Sequence, residues 1–225
     1  MTPKIIAHRG VTRNDQENTL PAYHQAFSEG ADGLEIDVRL SKDKKPIIFH
    51  DEDTSRLFKK SLEIKNTTFF ELEALGNNEN RIPLLDEVLD FLPQNKECFI
   101  EIKSDANTVP FLDKLRIEKK NITFLSFDKN VVLALKKRFP NKLVFQSFHM
   151  LQIERYGIKK ILEFYTKGNS DGLSIDIRGL SNKTIDKILE KKIDLIIWTL
   201  NSMERLKELS KKNIRAIITD EVKDF

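Results

Sequence analysis

Two histidines, three acidic residues and two cations in this chain fall at the ends of apolar runs, where buried backbone gives way to chemistry. His8 and Arg9 follow Ile5-Ile6-Ala7, and His50 ends "PIIFH" (46–50). Imidazole, with an unperturbed pKa of about 6.5, both takes and gives a proton near neutrality. In "LEIDVRL" (34–40) the alternation puts Glu35 and Asp37 on one face of a strand and Ile36 and Val38 on the other. Apolar residues on both faces indicate burial, where paired like charges are costly without a cation. "CFIEIKS" (98–104) repeats the device with Glu101 and Lys103. Three carboxylates without a cysteine cluster suit a hard divalent metal, Mg²⁺ or Ca²⁺, and Mg²⁺ commonly completes its shell with water and substrate phosphate. An Arg9 fork and a Lys103 point charge suit phosphate oxygens. Metal, cations and a histidine pair together describe phosphodiester cleavage. His24, inside helix-like "LPAYHQAF", and His149, after a strand, read as structural.

The elements that must position these groups repeat one design. "EKKNITFLSF", "KRFPNKLVFQSF", "EKKIDLIIWTL" and "SKKNIRAIITD" each run from a basic helix end through a short corner into apolar residues, then stop on Ser, Thr or Asp. Amphipathic stretches such as 183–192 lie between them, and strands alternating with helices mean a parallel sheet. The β-like runs are 4–7, 33–40, 46–49, 98–103, 122–126, 143–147, 172–175, 195–200 and 215–219. "SKDKK" is too short for a parallel crossover, so 33–40 and 46–49 form an antiparallel hairpin, which leaves eight strands for a (β/α)8 TIM barrel. The competing arrangement is an open doubly wound sheet. A hairpin turn centred near Asp43 and Lys44 sets His50 opposite Asp37. In a barrel, strand C-termini face the active site, which puts His8 and Arg9 at the catalytic rim.

Composition narrows the class. Hydrophobic residues are 40% and charged residues 32%, with eight Gly and seven Pro, which excludes collagen-like and disordered chains. A length of 225 residues suits one barrel domain over 1–225. The net charge of +3 is the difference between 38 basic and 35 acidic residues. The paired lysines sit at helix C-termini, where they complement the dipole, so nucleic acid is not an expected partner. Cys98 is the sole cysteine, and the N-terminus lacks a basic-then-apolar leader, which predicts a reducing, cytoplasmic setting. No apolar run reaches the roughly 18 residues of a membrane span, so no stable membrane insertion is expected.

Through "AHRG", "ENTLPAYHQAF", "GADGLEIDVRLSKD", "PIIFHDE", "IPLLDEVLDFL", "FIEIK", "WTLN" and "IITD", the chain resembles the glycerophosphodiester phosphodiesterase family, within the wider group of phosphatidylinositol-specific phospholipase C-like barrels. The resemblance implies metal-dependent hydrolysis of glycerophosphodiesters to glycerol 3-phosphate and an alcohol. It assigns the metal to Glu35, Asp37 and Glu101, the acid/base pair to His8 and His50, and phosphate contacts to Arg9 and Lys103. Trp198 falls in the family's tryptophan motif at the pocket, Glu17 and Asn18 in a motif that shapes the rim, and Asp220 reads as structural. Residues 51–83 match a small insertion after the hairpin, expected over the rim where specificity loops lie. The turn "SKDKK" departs from the family's Asp-Gly, Gln16 stands where Pro is usual, and "IITDEV" lacks a following proline.

A glycoside hydrolase would use carboxylates from separate strands, and a Schiff-base aldolase on Lys103 would need no metal site. The remaining alternatives are a phospholipase D-like enzyme acting on lysophospholipids and a catalytically inactive phosphate- or lipid-binding barrel. An inactive barrel would be expected to lack a histidine or a carboxylate, and this chain has them all.

Overall fold

A computed structural model describes residues 2–113, 115 and 117–224. The strands are β1 (Lys4–His8), β2 (Gly33–Leu40), β3 (Pro46–Ile48), β4 (Glu97–Ile102), β5 (Asn121–Ser126), β6 (Leu143–Phe148), β7 (Gly172–Asp176), β8 (Asp194–Trp198) and β9 (Ala216–Thr219). Helices α1 (Leu20–Ser28), α2 (Phe69–Glu73), α3 (Leu85–Phe91), α4 (Lys129–Arg138), α5 (Met150–Gly168), α6 (Asn182–Glu190) and α7 (Met203–Leu209) run between them. All strands except β3 are parallel, in the order β1-β9-β8-β7-β6-β5-β4-β2, and β1 pairs again with β2 to close the barrel. This is the expected (β/α)8 barrel rather than an open sheet. Strand β3 lies outside the parallel set, antiparallel to β2.

Period-two alternation divides each strand between two cores. Ile6, Phe99, Leu125, Phe145, Ile196 and Ile218 fill the barrel interior. Their neighbours turn outward, as Leu34, Ile100 and Phe124 do toward α1, α3 and α4, and Leu173, Leu195 and Ile197 toward α5, α6 and α7. The helices begin where short polar side chains accept a first-turn N–H: Thr19 for α1, Asp128 for α4, Ser181 for α6 and Ser202 for α7. Lys136 and Lys137 occupy the last turn of α4, as the dipole argument requires.

Between β3 and α3, residues 51–83 wrap a small cluster of their own, in which Ile64, Leu72 and Ile82 pack with Phe49 and Ile47 of the hairpin arm. Thr54 staples this segment: its Oγ donates to the Lys60 carbonyl at 2.6 Å and its N–H donates to the Leu62 carbonyl at 3.1 Å.

The hairpin register differs by one residue from the sequence expectation. Val38 faces Ile48 and Leu40 faces Pro46, so the ladder does not set His50 against Asp37. The turn closes on Ser41, whose Oγ accepts from Lys45 N at 3.0 Å, and Lys44 takes the left-handed conformation at φ 63°. His50 instead reaches the rim past the strand end, where Phe49 N donates to the Asp37 carbonyl at 2.9 Å and Arg39 Nε donates to the His50 carbonyl at 2.8 Å.

Lys44 occupies a position where glycine is relaxed and a side chain costs about 1 kcal/mol or more, offset in part by the unfolded-state freedom glycine adds. Lys44→Gly should therefore raise the urea-unfolding free energy by about 0.5 kcal/mol, and a lower denaturation midpoint would contradict this account of the turn.

Candidate active site

At the C-terminal end of the barrel a cavity of about 360 Å³ has His8, Arg9, Glu35, His50, Glu101 and Lys103 along one wall. Phe127, His149, Ser174 and Trp198 line the rest of it, with Phe127 beside Lys103. His8, Glu35, Glu101, Lys103, Phe127, His149, Ser174 and Trp198 continue the inward-pointing alternation of their strands, while Arg9 and His50 enter from the residues that follow β1 and β3.

The carboxylates come together through register. Asp37 and Glu101 are direct partners across β2 and β4, and Glu35 lies two residues back on the same face. One oxygen from each lies within 4.8 Å of the others, and Glu35 and Asp37 are 3% and 1% exposed. Burial pushes the Glu35 carboxyl well above the ordinary carboxylate range, and the charges of Asp37 and Glu101 push it further. Burial acts on Asp37 too, but Arg9, Lys103, His50 and the Asn18 hydrogen bond outweigh it and hold Asp37 low. Glu35 Oε2 is buried without a hydrogen-bond partner. An orphaned carboxylate oxygen beside two other carboxylates fits a divalent cation with oxygen ligands.

Cations and amides surround this cluster. Arg9 Nε lies 3.1 Å from Asp37 Oδ2 as an ion pair whose angle is too poor for a hydrogen bond, and Lys103 Nζ donates to Glu101 Oε1 at 2.9 Å. Asn18 Nδ2 donates to Asp37 Oδ2 at 2.9 Å, while Asn18 Oδ1 accepts from the buried Tyr23 hydroxyl at 3.0 Å. Arg9 itself sits at φ 58°, and the chain then turns at Gly10 (φ 87°), where a Cβ would lie 2.7 Å from Ala22 Cβ. The "HRG" corner thus turns the Arg9 side chain toward the carboxylates while packing against α1.

Both rim histidines carry a carboxylate on the same nitrogen. His8 Nδ1 is 2.7 Å from Asp220 Oδ1, and His50 Nδ1 is 2.7 Å from Asp51 Oδ1. Asp220 follows β9 and is held in turn by Asn201 Nδ2 at 2.7 Å. In each ring Nε2 is the nitrogen left for a substrate. Burial lowers the His50 pKa, and the nearby Arg9 and Lys103 charges lower it further against the opposing pull of Asp37 and Asp51.

Of the residues given a role from the sequence, His8, Arg9, Glu35, His50, Glu101, Lys103 and Trp198 line this cavity; Asp37 pairs with its Arg9 and Lys103, and Trp198 meets Phe127 edge-on at 5.8 Å. Asp220, read from sequence as structural, touches His8. Asp51 was passed over, although it adjoins His50 in sequence. His149, given no role, lines the cavity at the cap of α5, with Nε2 3.5 Å from Asp176 Oδ2. Only strand-end placement signalled these three. His24 is exposed on α1, away from the cavity.

The family model described as "Glycerophosphoryl diester phosphodiesterase family" matches residues 8–224. The chain belongs to this family. It is 26% identical to a glycerophosphodiester phosphodiesterase of Caldanaerobacter subterraneus subsp. tengcongensis, over 98% of this chain and 95% of that one. To the human protein named Lysophospholipase D GDPD1 it is also 26% identical, over 99% of this chain and 85% of that one. Among solved structures, the glycerophosphodiester phosphodiesterase of Thermotoga maritima superposes with a TM-score of 0.83 at 31% identity, covering 99% of this chain and 96% of that one. An Oleispira antarctica phosphodiesterase, solved with the product sn-glycerol-3-phosphate, shares the fold at a TM-score of 0.85 and 24% identity, covering 99% and 94%. The family is one of enzymes, phosphodiesterases. Among the described residues no helix is long and apolar enough to cross a membrane.

A carboxyl whose folded pKa is raised binds protons that the unfolded chain has released, so its contribution to stability falls as pH rises above the ordinary carboxylate value. In chelated protein, Glu35 therefore costs stability toward neutral pH. Urea titrations across the acidic-to-neutral range, with a chelator present, should show Glu35→Gln more stable than the parent at neutral pH, the difference shrinking as the pH approaches the carboxylate range. A parent more stable than Glu35→Gln at neutral pH without metal would overturn the electrostatic picture.

Proposed function

We propose that this chain hydrolyses glycerophosphodiesters to glycerol 3-phosphate and an alcohol, using one divalent cation and a histidine pair. The observation that carries the reading is the pairing of two carboxylate-anchored histidines with a buried, part-orphaned three-carboxylate cluster on one cavity. Family membership supports the substrate class, and the complete set of histidines and carboxylates argues against an inactive barrel. We read residues 1–225 as one domain with 51–83 as its insertion. Cys98 is buried and unpaired, which supports a cytoplasmic setting.

Glu35, Asp37 and Glu101 would hold Mg²⁺ or Ca²⁺, which when bound polarises the phosphate and withdraws its negative charge. Arg9 and Lys103, already over the cluster, neutralise charge that grows on the phosphate oxygens in the transition state. One ring Nε2 accepts the proton of the attacking oxygen, from water or from a glycerol hydroxyl by way of a cyclic phosphate. The other ring Nε2 donates a proton to the departing alcohol oxygen as its bond to phosphorus breaks. Asp220 and Asp51 keep each Nδ1 protonated and stabilise the imidazolium that forms. Phe127 and Trp198, which also line the cavity, contact the organic part of the substrate.

The test is release of glycerol 3-phosphate from glycerophosphocholine, glycerophosphoethanolamine and glycerophosphoglycerol, and of lysophosphatidate and choline from lysophosphatidylcholine, after chelation and with Mg²⁺ or Ca²⁺ restored. Chelation should abolish turnover, and Glu101→Ala should lose metal affinity and activity together. His8→Ala and His50→Ala should each lower kcat about 10²-fold to 10⁴-fold while metal affinity stays near native. The double variant should cost far less than the product of the two, because paired groups act as a unit. A p-nitrophenyl ester, whose leaving group needs little protonation, should rescue only the variant that lacks the acid. Near-native kcat in both single variants would exclude the two-histidine mechanism.

A further inference from the structure

Arg56 belongs to the 51–83 segment and touches neither the cavity nor the carboxylate cluster, yet its guanidinium joins two carboxylates that each contact a cavity-lining residue. Its Nη1 and Nη2 donate to Glu17 Oε2 and Oε1 at 2.9 and 2.6 Å, a two-bond fork, and its Nε donates to Asp51 Oδ2 at 2.6 Å. Each carboxylate spends another contact on the active site. Asp51 Oδ1 meets His50 Nδ1 at 2.7 Å, and Glu17 Oε1 accepts from Arg9 Nη1 at 3.0 Å. Two lines of contact therefore leave one guanidinium, one ending on a rim histidine and the other on the arginine that faces Asp37.

We propose that Arg56 is a positioning residue for the phosphodiesterase reaction, fixing the His50 ring through Asp51 and the Arg9 fork through Glu17. This rests on the function proposed above.

An isolated, half-exposed ion pair would be worth little, because solvent screens it and two side chains must be ordered for it. Here the geometry differs: Glu17 is mostly buried, the pairing is bidentate, and three donors of one rigid plane are used at once. Burial alone would raise the Glu17 pKa, but Arg56 and Arg9 together hold it below the ordinary value, so the carboxylate stays charged between its two guanidinium partners. Without Arg56, Glu17 would keep its bond to Arg9 and draw the fork away from the phosphate position. Asp51 would lose the bond that sets its rotamer, and with it the orientation of His50. The segment that presents Arg56 is itself fixed: Leu57 and Phe58, the next two residues, pack on the insertion's apolar cluster, and Phe58 stacks on Phe49 at 6.3 Å. The insertion thus contributes to catalysis through contacts made outside the cavity.

The experiment compares Arg56→Gln and Arg56→Lys with the parent chain. Arg56→Gln should fold with a near-native thermal midpoint and near-native metal affinity, and lose about 10-fold to 100-fold in kcat on glycerophosphodiesters, the scale expected when a reacting group is displaced by about 1 Å. Arg56→Lys, which cannot make the fork and the third bond together, should recover only part of that loss. In a Glu17→Gln/Asp51→Asn background, Arg56→Gln should change kcat less than about twofold, because the groups it acts through are gone. A merely structural role would instead add its full loss in that background. Independently of turnover, the His50 ring N–H proton resonance, assigned by its absence in His50→Gln, should shift in both Arg56 variants. An unshifted resonance, near-native kcat in folded Arg56→Gln, or a fully additive loss would each overturn the proposal. An inactive parent chain with a shifted resonance would instead count against the proposed reaction and leave the positioning contact standing.

Discussion

Three carboxylates packed into the mouth of a barrel are the constraint around which the rest of the site is arranged. Brought within 4.8 Å of one another and out of water, Glu35, Asp37 and Glu101 repel, and the fold answers with opposite charge rather than distance. Arg9 pairs with Asp37, Lys103 pairs with Glu101, and Asn18 adds an amide donor. The compensation is uneven: Asp37 is held ionised, whereas Glu35 keeps a buried oxygen with no donor at all. That imbalance is what a divalent cation would remove, so the same charges that strain the folded chain prepare it for metal and phosphate.

The cations that offset the carboxylates are each tethered from behind. Arg9 is held by Glu17, and Lys103 sits 5.7 Å from the centre of the Phe127 ring. The histidines follow the same rule, each with a carboxylate on Nδ1 that leaves the other nitrogen free. Such backing restricts rotamers before substrate arrives, which moves the entropic cost of alignment from the reaction into folding. The outer partners are Asn201 behind Asp220, 19 residues away, and Arg56 behind Asp51, only five residues away.

Much of this was legible in the sequence because it follows from short-range rules. Alternation in 34–40 and 98–104 put Glu35, Asp37, Glu101 and Lys103 on inward faces, and the brevity of "SKDKK" separated β3 from the barrel. The hairpin register was not legible to the residue, since one left-handed residue, Lys44, decides how the turn closes and glycine was absent to announce it. Nor were the supporting carboxylates. The contact of Asp220 with His8 depends on how the last strand docks against the first, and no local pattern in "IITDEV" encodes that. The same holds for His149, whose position at a strand end has meaning only once β6 is known to sit across the mouth from β2.

The closing seam gives this arrangement a further consequence. Strand β1 pairs with β9 on one side and β2 on the other, and in the second pairing His8 is the direct partner of Glu35. Arg9 N donates to the Glu35 carbonyl at 3.0 Å, one residue beyond that pair. The first strand therefore sets His8 against a carboxylate of the cluster, while the carboxylate on its ring nitrogen follows the last strand. Of these two pairings, β1 with β9 joins strands more than 200 residues apart and carries the larger loop-closure entropy. A barrel left open between β1 and β9 would still bring Asp37 and Glu101 together through β2 and β4 and His8 beside Glu35 through β1 and β2, but it would lack Asp220 behind His8. The Asp220 contact on His8 is thus tied to the pairing that completes the fold, whereas the carboxylate pair needs only β2 and β4.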